Sequence, residues 1–122
     1  MIPSKRKNRV RDALEIKKIF YCPNCGGNKT IDPIQGKHDS ETPVGYLRVV
    51  TAVAVCPDCG RELHNDSLDN FNSIVMASAA IAEYRKKYPD GTKKQCRRKL
   101  GLQEETVRAF WDKDEFLEYE VL

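Results

Sequence analysis

The side chains best placed for chemistry are five cysteines: Cys22, Cys25, Cys56, Cys59 and Cys96. Four of them fall into two nearly identical strings, Cys22-Pro23-Asn24-Cys25-Gly26 and Cys56-Pro57-Asp58-Cys59-Gly60. In each pair, two intervening residues let both thiolates point at one ion. Proline fixes the entry to the turn, and glycine allows the left-handed backbone that brings N–H groups towards sulfur. Two such knuckles make a tetrahedral set of four sulfurs, which suits Zn²⁺, with iron in a rubredoxin-like site as the alternative. No apolar export segment follows the basic residues 1–11, so a reducing, cytoplasmic setting is expected. There, paired Cys-x-x-Cys units indicate metal rather than disulfides or redox dithiols. Four protein thiolates leave no open position, so one structural Zn²⁺ per chain is expected.

Little else in the chain offers catalytic chemistry. Cys96 sits among Lys93, Lys94, Arg97, Arg98 and Lys99, neighbours that would lower a thiol pKa, but a small residue on a helix is the favoured reading. His38 and His64 are isolated and expected at the surface rather than as further ligands. No Gly-rich phosphate loop and no Ser/His/Asp set is present, so no enzyme is expected. No apolar run reaches the ~18 residues of a membrane span.

The elements that must hold the knuckles can be read in outline. The 122 residues, 40% apolar and 32% charged, suffice for one small domain or two mini-domains. The net charge of +3 hides a segmented chain. Residues 1–19 carry seven basic and two acidic side chains, residues 85–99 eight and one, and residues 103–122 two and seven. Residues 4–11 read as a flexible basic arm, with room for a short helix over 10–19. Residues 26–42 are rich in turn formers. Residues 46–55, YLRVVTAVAV, predict a strand of ~8–10 residues, antiparallel to a shorter one near 29–34. Knuckle, strands and knuckle together describe a zinc ribbon.

Helical spacing then takes over. Asp66 or Ser67 can cap a helix that presents Leu68, Phe71, Ile74, Val75, Ser78, Ile81 and Ala82 on one face, expected to pack on the ribbon. Pro89-Asp90-Gly91 ends it near Tyr88. Thr92-x-x-Gln95 has capping-box form and Gly101 is a natural stop, so a second helix is expected between them. A third covers about 103–111, and 115–119 reads as a last turn or short helix. The fold class is therefore α+β. Its parts are a basic arm (1–19), a zinc ribbon (20–65), a long helix (66–88) and a short helical unit (89–122).

A ribbon with a strand-bearing insert, a long helix and then Arg98-Lys99-Leu100-Gly101-Leu102-Gln103 resembles the MqsA-type (YgiT-type) antitoxins. The Glu62-Leu63-His64-Asn65-Asp66 segment and Phe71 suit the same pattern, from Cys22 to about Glu120. The resemblance implies zinc on Cys22, Cys25, Cys56 and Cys59, a toxin bound by the zinc domain, and operator DNA read by a dimeric helix-turn-helix. It also places Tyr46, Arg48, Val50 and Ala52 on a strand whose edge can pair with a partner, cover by the following helix or by a second copy being the alternatives. The helix-turn-helix looks truncated: with 100–111 as its first helix, the recognition helix would be 114–122. That strip carries Asp114, Glu115, Glu118 and Glu120, with Asp112 just before it, the wrong charge for DNA. Nucleic acid, if bound, is then expected on Arg85, Lys86, Lys87, Lys93, Lys94, Arg97, Arg98 and Lys99, together with the basic arm.

Overall fold

The computed structural model describes residues 15–112 and 119–122. The chain is α+β: antiparallel strands carrying four clustered cysteines, followed by helices. Its elements are β1 (Ile19–Cys22), β2 (Gly27–Thr30), β3 (Ile34–Thr42), β4 (Gly45–Val55), β5 (Glu62–Leu63), α1 (Asp66–Lys87), α2 (Lys93–Leu100), α3 (Glu104–Phe110) and β6 (Tyr119–Val121). They form two compact units, one from residues up to 36 with 51–73, the other from 37–50 with 74 onwards.

The first unit is built from two hairpins with a knuckle at the tip of each. β1 and β2 pair from Ile19↔Thr30 to Cys22↔Gly27. The end of β4 pairs with β5 as Ala54↔Leu63 and Val55↔Glu62. Strand alternation sends Phe20 and Cys22 inwards and leaves Ile19 and Tyr21 exposed. The core is small: Phe20, Cys22, Ile31, Ala54, Cys56, Leu63 and Leu68, with Ile16 and Ala52 against it. The start of α1 is tied to it by Asn65. Its Oδ1 accepts the Leu68 N–H at 2.8 Å, and its Nδ2 donates to the carbonyls of Lys17 and Ile19 at 2.9 and 3.0 Å. The cap is thus Asn65, one residue before the expected Asp66 or Ser67. An Asn at this point satisfies a helix N–H and the chain entering β1 with one side chain.

The second unit holds the first half of β4, most of α1, and α2, α3 and β6. Leu47, Val49, Ile81, Val107 and Phe110 are buried in it. Acidic Asp66 and Asp69 open α1 and Arg85, Lys86 and Lys87 close it, as the helix dipole favours. Thr92 and Gln95 form the expected capping box of α2, and Gly101 ends it at φ 68°. β6 pairs with β4 from Leu47↔Val121 to Val49↔Tyr119.

Several expectations are corrected. Residues 15–18 are not helical and Ile19 opens a strand; residues 10–14 lie outside the described residues. The strand expected near 29–34 is two elements: β2 pairs with β1, and the neighbour of β4 is the nine-residue β3. β3 is polar and mostly exposed, so it lacks the apolar alternation that marks a strand. The helix-turn-helix layout also shifts. Leu100 ends α2 rather than opening a helix, and the second helix is Glu104–Phe110. Of the supposed recognition helix, residues 114–118 lie outside the described residues, and Tyr119–Val121 is a strand.

The caps give a graded expectation. Asn65→Ala removes a cap and two tethers and should destabilise by about 2 kcal/mol or more, whereas Thr92→Ala should cost about 1 kcal/mol. Urea denaturation monitored by circular dichroism measures both.

Candidate metal centre

Each knuckle is a tight turn closed by its glycine. The Gly26 N–H donates to the Cys22 carbonyl at 2.8 Å, and the Gly60 N–H to the Cys56 carbonyl at 2.9 Å. Both glycines have positive φ, 74° and 77°, a conformation that side chains with Cβ rarely adopt. The Cys25 N–H lies 3.4 Å from the Cys22 sulfur. Cys22 and Cys56 are buried, Cys25 and Cys59 exposed.

The two tips meet at their sulfurs. All four Sγ atoms lie within 4.8 Å of one another, with Cys22–Cys59 at 3.6 Å and Cys25–Cys56 at 3.9 Å. A disulfide would need ~2.05 Å. A tetrahedron of sulfurs around one ion at ~2.3 Å has edges of roughly 3.8 Å. The observed separations fit that tetrahedron, so the cluster can hold a metal ion and is compatible with zinc. Lys29 of β2 pairs with Asp58 of the second knuckle, linking the two hairpins beside the sulfurs.

The electrostatics point the same way. The Arg61 backbone N–H and the Asn24 side chain favour the Cys59 thiolate and lower its pKa to about 6. The neighbouring Cys59 and Cys22 sulfurs raise Cys25 to about 12. Packed thiols cannot all ionise near neutral pH without a cation among them. His64 is not part of the set: its ring nitrogens face Glu62 at 3.2 Å and Asp69 at 2.9 Å. His38 is exposed. Cys96 is buried, and desolvation raises its thiol to about 11.

The remaining candidate residues separate into groups. Of the eight basic ones, Arg85 donates to the Trp111 carbonyl and lies over its ring, and Lys87 donates to the Val44 carbonyl. Lys86 and Lys99 lie over the rings of Tyr119 and Tyr88. Lys93, Lys94 and Arg97 instead line one cleft with Glu104, Val107 and Arg108, and Arg98 is exposed. Sequence spacing gave no sign of Arg108, which arrives from a different helix.

The β4 edge is corrected more firmly. β3 lies along one side of β4, while β6 and β5 pair on the other at residues 47–49 and 54–55. Between them, Asn72 accepts from the Ala52 N–H at 2.9 Å and donates to its carbonyl at 3.0 Å, as a neighbouring strand would. Arg48 is paired with Asp39 at 2.7 Å, and Ala52 packs on the core. Val50 is half-buried, and Tyr46 keeps an exposed ring. The covering segments, three- and two-residue strands and one asparagine, carry no strand pattern of their own.

No protein-family model, curated protein or solved structure matches this chain.

Thiolate ligands compete with protons, so metal affinity should fall as pH falls, with more than one proton taken up per ion released. A chromophoric chelator with a pH-stat measures both quantities. Cys56→Ser should abolish stoichiometric binding and unfold the first unit. Cys96→Ser should keep the ion and cost about 1–3 kcal/mol for an imperfectly satisfied buried hydroxyl.

Proposed function

We propose that this chain is a zinc-stabilised, non-catalytic binding protein of the antitoxin-like regulatory kind. Cys22, Cys25, Cys56 and Cys59 hold one Zn²⁺, which when bound supplies folding energy to the first unit rather than a reactive site. Cys22 and Cys56 contribute from the core; Cys25 and Cys59 close the set from the solvent side. A closed set of four thiolates leaves no position for a substrate.

The observation that carries a protein partner is the outer surface of this unit. Ile19 and Tyr21 of β1 are 64% and 58% exposed, and Ile34 and Val55 are also exposed. A core of seven buried residues thus leaves four large apolar side chains outside. Ile19 and Tyr21 project from the same face of β1, a paired apolar surface of the sort that interaction sites use. The β4 edges are occupied within the chain, so contact through side chains of β1 replaces the strand pairing that Tyr46, Arg48, Val50 and Ala52 invited. A toxin-like protein is the partner the resemblance implies.

Nucleic acid is a second reading, favoured by Lys93, Lys94 and Arg97, which have no ion pair among the described residues. Elemental analysis of freshly purified protein should give one zinc per chain. Affinity capture from the native host after nuclease treatment should retain a protein partner. Ile19→Ser with Tyr21→Ser should keep the zinc and lose that partner. Unchanged capture by the folded double variant would remove β1 from the interface.

A further inference from the structure

We propose that the cleft between α2 and α3 is a binding site for a phosphate-bearing anion. It is a depression of about 360 Å³, lined by Lys93, Lys94 and Arg97 of α2 and by Glu104, Val107 and Arg108 of α3. Four cations face one carboxylate. That carboxylate is engaged with Arg108 at 3.4 Å. Lys93, Lys94 and Arg97 have no ion pair among the described residues. The volume is more than ten times the ~30 Å³ of one water molecule, enough for a diphosphate with some of its hydration.

The placement of two of these charges, Lys93 and Lys94, works against the fold, whereas Arg97 stands in the last turn of α2, where the dipole accepts a cation. α2 has five cations in eight residues and no acid in its first turn. Lys93 and Lys94 therefore stand at the positive end of the helix dipole, where Asp or Glu would be favourable. Lys93 and Arg97 are four residues apart, as are Lys94 and Arg98, and like charges at that spacing repel along a helix face. An anion in the cleft reverses the sign of each of these terms.

Chemistry selects phosphate from among anions. A phosphate presents several oxygens to separate donors, so two helices can share it. Planar guanidinium groups grip two oxygens in parallel, and ammonium groups satisfy the others as point charges. Arg97 and Arg108 supply guanidinium from opposite walls, while Lys93 and Lys94 supply the ammonium groups. Val107, buried in the floor, offers no competing polar group. Soluble phosphates and nucleic-acid backbones share this chemistry, and the site does not depend on the protein-partner reading above.

The test is titration of the full metal-loaded chain with inorganic pyrophosphate. Amide shifts are followed by NMR at ionic strength held constant with sodium chloride. Saturable shifts confined to α2 and α3 are expected. Arg97→Gln and Lys94→Gln should each weaken binding about tenfold, the cost of one charge-assisted contact. Arg97→Lys should recover part of the loss. Lys37→Gln, which removes the same charge elsewhere, should leave affinity unchanged. Without ligand, Lys94→Gln should melt at a higher temperature than the parent, because a cation at the positive end of the helix dipole and its like-charge pairing with Arg98 are both removed. A mixed-sequence DNA duplex that displaces pyrophosphate identifies backbone phosphate as a ligand; failure to displace it identifies a soluble one. The proposal is overturned if shifts do not saturate, if Arg97→Gln binds like the parent, or if Lys37→Gln weakens binding equally.

Discussion

Mutual repulsion among four sulfurs is the constraint on which the first unit depends. The hairpin tips bring them within 4.8 Å, closer than four negative charges tolerate in one place. One thiol ionises readily at about 6, while another resists to about 12. A cation resolves that conflict, and only then do the knuckles become an asset. Cys22 and Cys56 are also two of the seven buried core residues, so ligand and core are the same atoms. With so little other apolar material, a metal ion held here would couple its binding to the folding of this unit.

The second unit is held by different means. Its buried residues are mostly apolar side chains, joined by Ser78, Glu83 and Cys96, and its ends are fastened by polar contacts from α1. Lys87 reaches the Val44 carbonyl, Arg85 the Trp111 carbonyl, and Glu83 accepts from the Tyr119 hydroxyl at 3.1 Å. Lys87 and Arg85 come from the basic run that sequence alone assigns to nucleic acid. Long basic side chains combine an apolar stem with a donor, so they clamp loops as readily as they bind phosphate. Which task each performs depends on what the fold sets before it, and charge density along the chain does not encode that.

Legibility follows the same division between local and non-local causes. The knuckles, the Thr92 capping box, the Pro89-Asp90-Gly91 break and the Gly101 stop are all short-range patterns, and all are present. β3 was hidden because its partner, not its own residues, makes it a strand. Gly36 illustrates this: a Cβ there would lie 2.6 Å from Val53 Cγ2, a close approach that reads in sequence only as a turn former. β4 was visible as β-branched, but the burial of its side chains changes parity. Leu47 and Val49 enter the second core, whereas Ala54 enters the first. A strand serving two cores cannot show one clean alternation, so its exposed face was not assignable from the string. Asn72 and Asn65 were invisible for another reason: an asparagine that replaces a backbone partner looks like any other helix-terminal or surface amide.

What remains after folding is explained is a small set of residues that local rules disfavour. Ile19 and Tyr21 lie on the outside of a hairpin that has few apolar side chains to bury. Lys93 and Lys94 stand where the helix dipole favours acid, and their neighbours one turn on carry the same charge. Natural chains are otherwise locally consistent, and departures from consistency concentrate where a partner or ligand supplies the missing interaction. The two departures differ in kind, one apolar and one cationic, and they fall in different units. A single ligand class cannot relieve both, because burying the first requires apolar surface and balancing the second requires anionic charge. An apolar partner surface would meet the first, in the unit that carries the cysteine cluster, and an anion the second, on α2 and α3 of the other unit.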